Sequence, residues 1–212
     1  EKESVMAGVT LAPIKQCEMR LRIRSTSPMV QHNWDEKAKH MMRQKHAGVK
    51  TKNRDVRDPD REFKAAMHRT PDGAYGFPSG GVKKCLLNAA HKDIGIEKTL
   101  LRKSLFIIAD ADSESGEPLC LMDTTDPIMR EDVVRVGQGS TDLRYRPEFK
   151  DWSIELTLQY DGEALTPENI LNIFQRAGFG VGLGEWRPEK AGEYGRFAID
   201  TDFPIETREI VL

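Results

Sequence analysis

Two stretches of the chain alternate strictly between apolar and polar positions. Over residues 17–24, Cys17, Met19, Leu21 and Ile23 fall on one face; Glu18, Arg20, Arg22 and Arg24 fall on the other. Over residues 152–160, Trp152, Ile154, Leu156, Leu158 and Tyr160 alternate with Ser153, Glu155, Thr157 and Gln159. A period of two predicts strands with one buried face. Elsewhere the spacing becomes helical. Val82, Cys85, Leu86 and Ala89 form one stripe over residues 79–91, with Ser79 as N-cap. A second helix is predicted over residues 166–177. Thr166 caps it, Pro167 takes its first position, Glu168 lies in its first turn and Gly178 stops it. Its apolar stripe is Ile170, Leu171, Phe174 and Ala177.

Short apolar runs at 105–109, 119–122 and 133–136 predict further strands, and alternation returns at 194–200. The order strand, helix, strands, strand, helix, strand predicts an α+β chain. Its expected form is a ferredoxin-like (RRM-like) βαββαβ sheet with both helices on one face. Residues 1–212 form one domain in this reading, with insertions at about 30–70 and about 110–146. Residues 1–15 read as a loose lead-in, 137–147 as a loop, and 201–212 as a tail or exchanged arm.

Charge changes the picture locally. The whole chain has 212 residues, of which 31% are charged, and a net charge of −2, so bulk electrostatics do not mark a polyanion binder. Residues 30–70, however, hold eleven Lys or Arg against six acids, and four of the five histidines: His32, His40, His46 and His68. A short helix is expected over residues 35–47, and a basic arm lying on a polyanion over the rest. The histidines lack the paired spacing of a metal site. Asp110, Asp112 and Glu114 lack the glycine and distal glutamate of a calcium loop. His91, near the end of the first helix, reads as a partner of the helix dipole. Arg20, Arg22 and Arg24 admit two readings: a solvated sheet face, or a surface that neutralises phosphates.

Six of the 17 glycines lie between Gly178 and Gly195, interleaved with Trp186, Arg187, Lys190, Tyr194 and Arg196. Glycine amides can cradle phosphate, cations add charge, and aromatic rings stack bases. The same glycines also suit a long connection that needs turn geometry. Ser79, Lys83 and Lys84 put a small residue and two cations near a helix start, where an anion is favoured; ordinary capping explains the small residue equally well. Arg144, Tyr145 and Arg146 repeat the pattern of cations around an aromatic. The three cysteines, Cys17, Cys85 and Cys120, include no CxxC pair, so free thiols in a reducing, cytoplasmic setting are expected. No apolar run reaches membrane-spanning length and no signal peptide is visible.

Phe77-Pro-Ser-Gly-Gly-Val-Lys-Lys-Cys-Leu resembles the helix start of the RAMP superfamily, which includes the backbone and repeat-processing subunits of CRISPR effector complexes. The loop from Gly180 to Arg196 is similar to that superfamily's Gly-rich loop. Arg24-Ser-Thr-Ser-Pro-Met, after the first strand, is similar in position. The chain is also similar to short phage-encoded proteins. It departs from the pattern at Gly80-Gly81 and at the Trp186-Arg187-Pro188 interruption. The resemblance implies a palm with a thumb insertion and head-to-tail self-association along RNA. It also implies backbone-phosphate contacts from Ser79, Lys83, Lys84, Gly182, Gly184, Gly195 and Arg196.

The expected function is therefore non-enzymatic binding of a single strand, RNA before DNA, by a protein that oligomerises along it. The expected contacts are Arg20, Arg22, Arg24, Ser79, Lys83, Lys84, Arg144, Arg146, Gly182, Gly184, Trp186, Arg187, Lys190, Tyr194 and Arg196, with Tyr145 as a further stacking ring. No cofactor, metal or membrane is expected. One alternative is a metal-independent endoribonuclease with His32, His68 or His91 as base. Another is a structural or virion subunit that binds only protein.

Overall fold

The computed structural model describes residues 5–6, 9–10, 14–33, 43, 46–48, 57–90, 95–136 and 139–210. The helix expected over 35–47 lies largely outside these residues, as do His40 and His91.

The protein is α+β, with mostly antiparallel sheets and four helices among the described residues. A short hairpin pairs β1 (Val5–Met6) with β2 (Val9–Thr10), within the stretch expected to be loose. The main sheet centres on β3 (Gln16–Ser25) and β11 (Trp152–Asp161), the two strands whose alternation is plainest. They pair antiparallel from Ser153 opposite Arg24 to Asp161 opposite Gln16. On its other edge β3 takes β12 (Phe197–Ile199) and β13 (Glu206–Glu209). The far edge of β11 is shared by β6 (Leu105–Ile108) and β8 (Pro118–Thr124); β5 (Gly76–Pro78) and β7 (Ala111–Asp112) both pair with β8.

The apolar face of this sheet is closed by α2 (Ser79–Ala89) and α4 (Pro167–Arg176). Met19, Leu21, Ile23, Ile154, Leu156 and Leu158 meet Leu86, Ile170 and Phe174 there, almost wholly buried. Removing that apolar surface from water is the dominant favourable contribution to the fold. Alpha-3 (α3, Lys98–Ser104) leads directly into β6 and buries Leu101. Helix α4 opens with a capping box, in which Asn169 N donates to Thr166 Oγ1 and Thr166 N donates to Asn169 Oδ1. Helix α2 begins at Ser79 itself, after Pro78, and no side-chain hydrogen bond caps it. Ser79 is thus the first helical residue and not the N-cap.

Three segments differ from the sequence expectation. The loop expected over 137–147 is largely β10 (Ser140–Phe149), which pairs with β9 (Ile128–Val136) and β4 (Met29–Val30) in a second, three-stranded sheet. Its cross-strand neighbours are charged: Arg144 faces Asp132 and Tyr145 faces Glu131. Pairs of this kind stabilise a sheet without leaving an apolar alternation in the sequence. The end of the basic insertion forms α1 (Pro59–Ala65), capped by Asp58, whose side chain accepts from Arg61 N. The C-terminal tail supplies β13, which extends the sheet of its own chain.

Candidate nucleic-acid interface

The Gly-rich stretch begins where α4 widens into a π turn, Ala177–Val181, and continues as a compact, internally bonded loop. Gly195 N donates to Pro28 O (2.7 Å), Leu183 N to Gly195 O (2.9 Å) and Glu185 N to Val30 O (2.8 Å). Gly182 N donates to Ala177 O (2.8 Å), and Arg196 N to Ser27 Oγ (2.9 Å). These amides are committed within the protein, which leaves them unable to act as the phosphate cradle expected from sequence. At Gly195, φ is +69° and a Cβ would overlap the carbonyl oxygen of Leu183. Glycine is needed there for close backbone approach inside the fold.

The π turn separates two concave surfaces. The wider, a groove of about 810 Å³, lies between α4, the turn and β12. Arg176, Phe179 and Arg196 line it together with Asn169, Asn172 and Gln175, and among the described residues no Asp or Glu does. Neither guanidinium has a carboxylate partner among the described residues. The Arg196 guanidinium carbon lies 5.9 Å from the Phe179 ring centroid, and its Nε is shielded from solvent without a hydrogen-bond partner. Phe179 itself is 78% exposed.

The narrower cleft, of about 220 Å³, lies on the other side of the turn. It gathers Gly182, Gly184, Lys84 and Arg187 with His32 and His68, but Glu185 and Glu189 line it too. Arg187 bonds Glu189 (2.8 Å) and donates to Gly184 O (2.9 Å). His68 Nδ1 lies 3.1 Å from Glu117 Oε2. His32 Nε2 lies 3.2 Å from Arg144 Nη1, so it accepts and the ring proton resides on Nδ1. Burial, then the neighbouring charges of Arg146 and Arg144, hold the His32 pKa down at about 4. The ring is therefore neutral at pH 7.

The three β3 arginines stand apart from both surfaces. Arg20 meets Glu155 (2.5 Å) and Glu206 (3.8 Å). Arg22 lies 3.9 Å from both Glu155 and Asp200, and Arg24 lies 3.9 Å from Asp200 and 3.8 Å from Asp202. Phe203 stacks beneath Arg22, 4.3 Å from its guanidinium carbon. The sheet face expected to be an open cationic surface is thus balanced by carboxylates from β11 and the C-terminal segment.

The other expected contacts are dispersed. Lys83 lies over the Phe106 ring (4.2 Å), and burial followed by the charge of Arg102 lowers its pKa. Arg146 is buried on β10 beside Asp132 (3.7 Å), and burial lowers its pKa as well. Tyr194 accepts from Arg130 (2.7 Å), whose guanidinium also covers its ring (4.7 Å). Trp186 and Lys190 are exposed, and Tyr145 lies on β10. Of the expected residues only Arg196 lines the wide groove; Lys84, Gly182, Gly184 and Arg187 share the narrow cleft.

Arg176, Phe179, Asn172 and Gln175 were not singled out by sequence. Their signal is the face of α4 opposite Ile170, Ile173 and Phe174, and a phenylalanine set between Gly178 and Gly180.

No family model matches the chain, and no curated protein sequence matches it. Among the described residues no group of three His, Cys, Asp or Glu could hold a metal, and no helix is long and apolar enough to cross a membrane.

Proposed function

We propose that this chain binds single-stranded nucleic acid without performing chemistry on it, and that it self-associates along the strand. The observation that carries this reading is the wide groove: two arginines without carboxylate partners among the described residues, an exposed aromatic ring and several amides, with no acid among the described lining residues. A charged polymer is attracted by unpaired guanidinium groups, and an aromatic face accepts bases irrespective of sequence. RNA is the strand expected from the RAMP resemblance. What supports that resemblance is the antiparallel order β12-β3-β11-β6 with α2 and α4 on one face. The groove moves the proposed contact away from the β3 arginines and onto Arg176 and Arg196. Titration of labelled single strands at two salt concentrations tests the proposal. Binding that weakens with salt supports it, and absence of binding at low salt contradicts it.

The narrow cleft favours a second reading. His32 and His68 line one concavity with Lys84, a grouping that suits metal-independent cleavage of RNA. Incubating RNA with the protein in chelator separates the two: intact bound strand favours the binder, and cleaved strand favours the nuclease.

A further inference from the structure

Phe179 is the most exposed large apolar side chain among the described residues. Helical spacing would have carried the chain onward along the buried stripe of Phe174 and Ala177, but the π turn diverts it and projects the ring into the wide groove. Gly178 permits this, because its backbone packs directly on the Phe197 carbonyl. Above the ring sits the Arg196 guanidinium at 5.9 Å. A planar ring inserted between them needs roughly 3.5 Å on each side, so about 7 Å in all. A shift of about 1 Å in a long, flexible arginine side chain opens that space. Along the wall, Asn172 and Gln175 lie one helical turn apart and exposed. Each offers a donor and an acceptor, the pair that the edge of a nucleobase presents in return. Asn169 is less available, since its Oδ1 already accepts from Thr166 N.

We infer that the wide groove is a base-binding site: one unpaired nucleobase stacks between Phe179 and Arg196, with its edge toward Asn172 and Gln175 and its phosphate toward Arg176. This rests on the single-strand reading and goes beyond it, because phosphate attraction alone requires no base. The ligand class is a nucleotide whose base is free to leave its stack, so duplexes are poor ligands.

The test compares an oligonucleotide with an abasic strand of equal length and charge, using fluorescence anisotropy on wild type and Phe179→Ala. The ring is exposed, so its removal leaves the core intact. Wild type is expected to bind the abasic strand about tenfold more weakly, the scale of one or two lost stacking contacts. Phe179→Ala is expected to bind both strands equally and weakly. Asn172→Ala with Gln175→Ala is expected to alter the ranking among four homopolymers while retaining the preference over the abasic strand. Equal binding of both strands by wild type overturns the base site and leaves polymer binding standing. Failure of wild type to bind either strand overturns both.

Discussion

Arg20 donates to Glu155 at 2.5 Å across the central pair of strands, and Arg22 shares the same carboxylate at 3.9 Å. Three successive outward arginines on β3 are thereby balanced by acids on β11 and the C-terminal segment. Replacing Arg20, Arg22 and Arg24 together by alanine is expected to change single-strand affinity by less than about twofold. Stability should fall by at most about 1 kcal/mol per exposed pair. Anisotropy and denaturation measure the two effects; a tenfold loss of affinity would return the ligand to this face.

The glycines of the loop serve the fold unequally. Gly195→Ala forces a side chain into a backbone at φ +69° and against the Leu183 carbonyl, so it should cost about 3 kcal/mol. At Gly180 a Cβ meets nothing within 4 Å, so Gly180→Ala should stay within about 0.5 kcal/mol of wild type. Thermal denaturation of the two variants distinguishes these outcomes, and equal midpoints would contradict the packing role.

Periodicity made the central strands and both long helices legible, because each of them buries one face of regularly spaced apolar residues. Strand β10 was not legible, because Arg144 and Tyr145 answer charged partners on β9 across the sheet. Those partners lie 12 and 14 positions back, on the preceding strand, and follow no apolar rule. The cations of the loop were visible as residues, but not which of them would be neutralised. Arg187 finds Glu189 two positions away, whereas Arg20 finds Glu155 135 positions away. Arg196 drew notice through its glycines, while Phe179 and Arg176 gained meaning only when the π turn aimed them into one groove.

His32 imposes a pH dependence on stability. Its ordinary pKa is 6.5, and burial with two neighbouring arginines holds it at about 4 in the folded protein. Between these values the unfolded chain takes up a proton that the folded His32 refuses. The His32 contribution to stability is therefore full above pH 6.5, declines as pH falls, and reaches its floor near pH 4. His32→Asn should flatten this part of the profile. Urea midpoints at about pH 7.5 and about pH 5 measure it, and an unchanged profile would contradict the assignment.

All three cysteines are buried and free. Burial pushes the Cys85 and Cys120 thiols up to about 12, so neither forms thiolate near neutrality. Alkylation at about pH 8 should leave the folded protein unlabelled and label all three sites in denaturant. Rapid modification of the native protein would contradict this burial.

The most direct measurement is the salt dependence of single-strand binding by the variant Arg176→Ala with Arg196→Ala, set beside wild type. The phosphate contact of Arg176 should be lost together with the stacking face of Arg196, so the slope of log affinity against log salt should shallow by about 0.7. Affinity at low salt should fall about tenfold or more with the thermal midpoint preserved. A variant that binds with the affinity and salt slope of wild type would contradict the assignment of the groove.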